Sequence, residues 1–471
     1  MVVGELVYEK DLVIIGAGPG GYQAAIRAAK HGRDVTLIDR SRPGGECLHS
    51  GCIPSKLLAV SAGKLNESAP GLTISASFSM KQWNDEKRSV ITNLEKGLYS
   101  LFKKNKIELI QGNASFLSEE RIGVEQGEKF EVWSFNHAII ATGSSANAPS
   151  FYEEHSEFVR SVEELYSVEG VPETLLLYGA DYMTAEVASS FRAIGSSVHV
   201  ITDEESFLPD LDETIAKEVR RQFKKQGIRV STGLTDIKLV EEGSSIKVTA
   251  QDAKGEGLQV FGDLLGYSAG RVRNLEALGL ENARVKVTED NFIDISESCQ
   301  SSNHSIYACG DITDGPSLAV KAIKQGKVAA DNCCGFSSVS ELNFLPIVIH
   351  TLPPVASVGL TEKEADVAGY HVSTGVSHMR ANGFATLHAQ PDGLVKVVRD
   401  EETHLLLGFH AIGKGAIELI EKGTLALEMV ARDEDFIYPY APHPGFGEAW
   451  IEATELSLEA SKTEFNKQKQ R

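Results

Sequence analysis

Asp11-Leu12-Val13-Ile14-Ile15-Gly16-Ala17-Gly18-Pro19-Gly20-Gly21 leads an apolar run straight into a glycine-rich turn. Its first five residues are the short apolar, β-branched run of a buried parallel strand. A G-x-G-x-x-G turn follows at once, and residues 22–29, Tyr-Gln-Ala-Ala-Ile-Arg-Ala-Ala, are strong helix formers. In this order Gly16 allows the tight turn, Gly18 lets backbone approach a pyrophosphate, and Gly21 brings helix close to strand. Residues 34–39 predict a second strand ending in Asp39, 18 residues after Gly21. That carboxylate can accept hydrogen bonds from a ribose diol. The alternative, an ordinary glycine turn, explains neither the flanking elements nor the acid.

Working outward, Gly44-Gly45-Glu46-Cys47-Leu48-His49-Ser50-Gly51-Cys52-Ile53-Pro54-Ser55-Lys56 begins five residues after Asp39. If Leu-His-Ser-Gly makes a turn, the sulfurs of Cys47 and Cys52 can meet. So small a ring restricts little of a 471-residue unfolded chain, so it reads as redox chemistry rather than as a staple. The pair lies close in sequence to the dinucleotide fold. A nicotinamide normally leaves its enzyme, whereas a flavin stays and can exchange electrons with a disulfide, so FAD is the expected cofactor. Residues 54–58 predict a helix that carries Lys56 near the face of Cys52, where its charge can favour a thiolate or a flavin anion. A solvated surface lysine is the alternative.

The chain carries 46 Lys and Arg against 66 Asp and Glu, a formal charge of -20 that repels nucleic acid and anionic lipid alike. No apolar run of about 18 residues occurs, and residues 1–10 hold Glu5, Glu9 and Lys10 without a signal-peptide core. The expectation is a cytoplasmic protein without a presequence or membrane contact. Six cysteines in this length fit a reducing compartment. Cys299, Cys309, Cys333 and Cys334 lack metal-ligand spacing, so no metal site is assigned.

The double glycine, the Cys-x4-Cys pair and Ile-Pro-Ser-Lys beside an N-terminal dinucleotide fingerprint resemble the pyridine nucleotide-disulfide oxidoreductases (class I), most of all the dihydrolipoamide dehydrogenase branch. The resemblance runs from about residue 10 to 455. It implies an α/β chain with two Rossmann-like FAD/NAD(P)-binding domains and a C-terminal α+β dimerisation domain. The implied segments are an FAD-binding domain in 1–150 and 273–343, an NAD-binding-like domain in 151–272, and an interface domain in 344–471. Gly45, Lys56, Thr142 and Gly143 of Ala-Thr-Gly, and Asp311 of Gly310-Asp311 are then expected at FAD. Tyr182 matches the family's gating tyrosine, and Glu186 the partner of Lys56. Residues 443–448, His-Pro-Gly-Phe-Gly-Glu, match His-Pro-x-x-x-Glu, in which His443, held by Glu448, is the acid/base. By analogy Cys47 exchanges with a dithiol, Cys52 lies against the flavin, and electrons pass from dihydrolipoamide to NAD+.

One motif departs from the family. Residues 174–178 repeat the strand, but the turn reads Gly179-Ala180-Asp181-Tyr182-Met183-Thr184, with aspartate and threonine in place of the second and third glycines. Asp181 puts a side chain and a negative charge where pyrophosphate should approach. Like charges about 4 Å apart at an effective dielectric near 20 cost up to roughly 4 kcal/mol. Thr202 ends the next strand where NAD-binding relatives carry an acid, with Asp203 beside it, and no arginine pair follows to meet the 2′-phosphate of NADP. Gly179 and Tyr182 therefore mark an NAD site that the resemblance expects and Asp181 argues against. Three readings follow: a complete dihydrolipoamide dehydrogenase, a flavin-disulfide enzyme with another electron partner or impaired nicotinamide binding, and a non-catalytic FAD-binding dimer. The first implies a lipoamide or lipoyl-domain substrate and a homodimer. No cysteine follows Cys334, so the C-terminal thiols of mercuric and thioredoxin reductases are missing.

Overall fold

The structure is a computed structural model that describes residues 6–67, 71, 75–152, 156–243 and 245–469, with side chains to 460. The reading of residues 1–10 thus falls partly outside the described residues. The chain forms two compact units, one of residues 1–54, 84–147 and 270–342, the other of 55–83, 148–269 and 343–471.

In the first unit the apolar run at 11–15 extends to the strand Val7–Ile15, which pairs in parallel with Val35–Asp39 on one side and Lys129–Ile140 on the other. Glu108–Gln111 continues the sheet beyond Val35–Asp39, and Ile306–Ala308 joins Lys129–Ile140, also in parallel. The first half of Lys129–Ile140 instead closes an antiparallel meander with Arg121–Gln126 and Asn113–Ser118. Helix Pro19–Lys30 starts at the glycine turn, and its Ala24, Ala25 and Ala28 pack among Val328, Ala329 and Ala330 of helix Ala319–Cys333. Small side chains on both helices permit that close approach. From sequence, residues 60–105 read as mixed Ser/Ala loop and polar helix, with an amphipathic stretch at 94–102. Here the structure has two helices, Cys52–Leu65 and Met80–Lys104. The second is 25 residues long, with Lys81, Glu86 and Lys96 exposed. So polar a helix hides its period, because few apolar residues mark its buried face.

The second unit contains a parallel sheet in the order Arg229–Ser231, Ser197–Ile201, Thr174–Tyr178, Leu264–Tyr267, Val159–Ser161. Its C-terminal part is a five-stranded antiparallel sheet: Ile347–Ile349, Val355–Gly359, Leu406–Ile412, Leu394–Asp400, Val372–His378. Helix Ala416–Glu428 buries Leu419, Ile420 and Leu427 in the core of this part. Trp450, fully buried on helix Glu448–Lys469, stacks at 4.1 Å on Phe409. Lys396 is also buried, and its charge is met by Asp212 at 2.9 and 3.0 Å and by Glu362 at 2.6 Å. An ammonium so removed from water persists only with such partners.

Asp11 shows how the first two strands are set. Its carboxylate takes two hydrogen bonds from Arg33, at 2.6 and 2.8 Å, and one from the Asp34 N–H at 3.1 Å. Chiefly because of Arg33, its pKa falls to about 2. The folded value lies below the ordinary one of about 3.9, so the stabilisation is present above pH 4 and is lost as pH falls toward 2. Replacing Asp11 by Asn is expected to lower stability at pH 7 and to flatten the acid loss between pH 4 and 2, as measured by denaturant unfolding at each pH.

Candidate active site

The first fingerprint is built for a ligand without side chains in its way. Gly16 has φ +104°, and a Cβ there would lie 2.2 Å from the Ala141 carbonyl oxygen, so no other residue fits. Gly18 is the N-cap of helix Pro19–Lys30 and gives it no side-chain cap. A Cβ on Gly18 would meet only the Gly45 Cα, 4.0 Å away. The start of this helix and the approach to the cysteines therefore face each other as bare backbone. Unused N–H groups and the positive end of the helix dipole suit a pyrophosphate there. Asp39 accepts the Ala17 N–H at 2.6 Å and the Ser41 N–H at 2.8 Å, which fixes its carboxylate beside the turn. These residues fit FAD.

The cysteine stretch folds into helix Gly45–His49, a two-residue break at Ser50 and Gly51, and helix Cys52–Leu65. The N–H groups of Ser50 and Gly51 both donate to the Glu46 carbonyl, at 2.9 and 2.8 Å. Cys47 is the first residue inside that closed turn, and Cys52 is the first residue after it. A Cβ on Gly51 would stand 3.7 Å from the Cys47 Cα, so the chain does fold back on itself there. Both cysteines are half-buried. The Tyr22 phenol titrates above its usual range because of burial first and of the negative charge Cys47 and Cys52 can carry. Cys299, Cys309 and Cys333 are buried, and burial raises the Cys299 thiol to about 12. Among the described residues no cluster of His, Cys, Asp and Glu could hold a metal ion.

A network that the sequence does not reveal ties this turn to the Gly-Asp loop. Arg271, 9% exposed, donates from Nε to Ser144 Oγ at 2.6 Å and also bonds the Glu46 carboxylate. Ser144 Oγ in turn donates to Asp311 at 2.6 Å, and the Asp311 carboxylate lies 3.9 Å from Arg271 Nε. Thr142, in the Ala-Thr-Gly segment, donates to the Asn274 carbonyl at 2.8 Å, and the Asn274 N–H returns a bond to Gly143 at 2.9 Å. Beyond Asp311 the loop is held by Lys321, whose ammonium donates to the Thr313 and Asp314 carbonyls at 2.9 and 2.8 Å. The only sequence signal for Arg271 and Glu46 is their position beside a glycine motif, since 225 residues separate them.

In the second unit, Lys56 is no solvated lysine: its ammonium meets both oxygens of Glu186 at 2.9 Å. Glu186 is buried and also accepts the His350 N–H at 2.9 Å. Tyr182 begins helix Tyr182–Ala193 and is half-buried. His443 Nδ1 bonds Glu448 Oε1 at 2.7 Å, and the other oxygen of Glu448 takes the Gly445 N–H at 2.9 Å. Those two bonds hold the Glu448 carboxyl below the usual carboxylate range. The His443 ring is 84% exposed, so Nε2 is offered to solvent.

Residues 10–326 match the pyridine nucleotide-disulphide oxidoreductase family, and residues 345–454 match its dimerisation domain. The chain is 34% identical to dihydrolipoyl dehydrogenase 2 of Haloarcula marismortui, over 96% of this chain and 98% of the relative. It is 37% identical to dihydrolipoyl dehydrogenase of Thermus scotoductus, over 94% and 96%. Among solved structures, LpdA of Mycobacterium tuberculosis superposes with a TM-score of 0.87 at 24% identity, covering 95% of this chain and 99% of that one. The HOCl-induced flavoprotein disulfide reductase RclA of Escherichia coli, in a Cu(II) complex, does so at 0.86 and 23%, covering 96% and 100%. At those identities the two structures establish the fold alone. The family uses FAD and a pyridine nucleotide, and no described helix here is long and apolar enough to cross a membrane. Fold, motifs and relatives agree that this chain belongs to the pyridine nucleotide-disulphide oxidoreductase family, as a flavin-dependent enzyme with that family's dimerisation domain.

Proposed function

We propose that the protein oxidises or reduces a small dithiol of the dihydrolipoamide class at the Cys47–Cys52 pair, as a cytoplasmic homodimer. The observation that carries this reading is the turn closed by the Ser50 and Gly51 N–H groups on the Glu46 carbonyl, which folds the chain back between Cys47 and Cys52. The names of relatives 32–37% identical over nearly the whole chain support the substrate class.

In the exchange, a substrate thiolate attacks the Cys47 sulfur of the disulfide, and Cys52 leaves as a thiolate. The second substrate thiol then displaces Cys47, which yields the substrate disulfide and the reduced pair. His443, contributed across the dimer, takes the proton of the attacking thiol and returns it when the flow reverses. Glu448 holds the ring so that Nε2 does this work. Two-electron chemistry beside the pair is what FAD supplies when bound. Gly16, Gly18, Gly21, Asp39, Gly45, Thr142, Gly143 and Asp311 are the residues we assign to hold it, and the Lys56–Glu186 pair is assigned to its flavin end.

Mild anaerobic reduction of the flavin-loaded protein is expected to raise its alkylatable thiols by two, and the Cys47→Ser and Cys52→Ser variants to show no such rise. No change in the thiol count of the unmutated protein would overturn the reading. His443→Gln is expected to slow turnover with dihydrolipoamide about 100-fold or more while flavin content stays at the unmutated level, as assayed by steady-state kinetics. Arg271→Met should cost about 1–3 kcal/mol in denaturant unfolding, because Glu46 and Ser144 lose a charged partner. Arg271→Lys should recover only part of it, since an ammonium cannot reproduce the guanidinium's directed bonds.

A further inference from the structure

The two dinucleotide-type folds start their first helices differently. In the first unit, Gly18 caps helix Pro19–Lys30 with no side chain at all. In the second, Asp181 stands at the same step of the strand-turn-helix motif and is the N-cap of helix Tyr182–Ala193. Its Oδ1 accepts the Thr184 N–H and the Thr184 hydroxyl, each at 2.9 Å, and its Oδ2 accepts the Ser268 hydroxyl at 2.5 Å. A helix N-terminus attracts one anion through its free N–H groups and dipole. Here a carboxylate of the chain itself already takes that place.

The surroundings favour this arrangement. Gly179 has φ +141°, and a Cβ on it would lie 2.5 Å from both the Ser268 carbonyl and the Thr184 hydroxyl. The partners of Asp181 thus crowd against the turn on both sides. Thr184, which replaces the third glycine, is fully buried and is the reason the cap has two donors. Thr202, at the end of the next strand, is buried, and its hydroxyl accepts the Glu204 N–H at 3.1 Å. The neighbouring acid, Asp203, accepts the Tyr178 hydroxyl at 2.7 Å. The acid expected at the end of this strand is therefore absent at 202, and Asp203 beside it uses one oxygen to hold Tyr178. The residues present do not fit a pyridine nucleotide as the first fold fits FAD.

We propose that Asp181 is a specificity-determining residue that occupies the anion position of the second fold from within, so that a pyridine nucleotide binds only by displacing it. The consequence is a weak nicotinamide end on an otherwise complete disulfide enzyme. The choice of nicotinamide as ligand rests on the disulfide-reductase reading above, but the binding comparison needs no turnover.

The test is calorimetric titration of the oxidised, flavin-loaded protein with NAD+, in the unmutated chain and in Asp181→Gly and Asp181→Asn. Asp181→Gly is expected to bind at least tenfold tighter than the unmutated protein. Asp181→Asn keeps a good N-cap without the charge, which preserves the fold, and is expected to bind at least threefold tighter. Affinities within twofold across the variants would overturn the proposal, as would weaker binding by both. Dithiol reduction of the same samples, without nucleotide, reads the disulfide end separately, so its failure overturns the proposed function and leaves the NAD+ comparison standing.

Discussion

Arg271 is the residue on which the arrangement of the first unit depends. Its guanidinium reaches Glu46 in the cysteine turn, Ser144 after Ala-Thr-Gly, and the neighbourhood of Asp311. These segments are remote in sequence, and one buried cation among acceptors gives each a single place to be. A charge 9% exposed cannot be left unpaired without a large cost, so the three segments are held together or the arginine is stranded. Glu46 links this constraint to chemistry, because its carbonyl closes the turn around the cysteines while its carboxylate is the one Arg271 binds.

The chain also contains its own control experiment. Two strand-turn-helix motifs follow the same plan, one ending at Gly18 and one at Asp181. Where glycine stands, the helix presents bare N–H groups; where aspartate stands, three hydrogen bonds fold the carboxylate inward. Burial pushes that carboxyl's pKa up, against the pull of those bonds, which marks how little water reaches it. The repulsion expected from sequence is thus only part of the effect. The other part is that the anion position is filled.

Legibility in the sequence followed distance along the chain. Strand, glycine turn and helix at 11–30 can be read because all the constraints are local, and so can the cysteine turn at 47–52. His443 and Glu448 are five residues apart, and their bond is visible as a spacing. Arg271 with Glu46, and Lys396 with Asp212, join residues 225 and 184 positions apart. Nothing local announces such pairs, since a lone charge in an apolar strand looks like an exposed one until its partner is found. Helix Met80–Lys104 is legible only as a polar helix without clear bounds, because of its mostly polar surface. Asp181 reads as a misfit and its cap on Thr184 is local, but the Ser268 hydroxyl that holds its other oxygen lies 87 residues on.

On the reading proposed above, the dithiol end is intact while the nicotinamide end is hindered. Anaerobic titration of the flavin-loaded protein, with dihydrolipoamide in one series and NADH in another, tests it most directly through the flavin spectrum. The account predicts a full spectral change with about one equivalent of dithiol and a large excess of NADH for the same change. A response to stoichiometric NADH with none to the dithiol would contradict it.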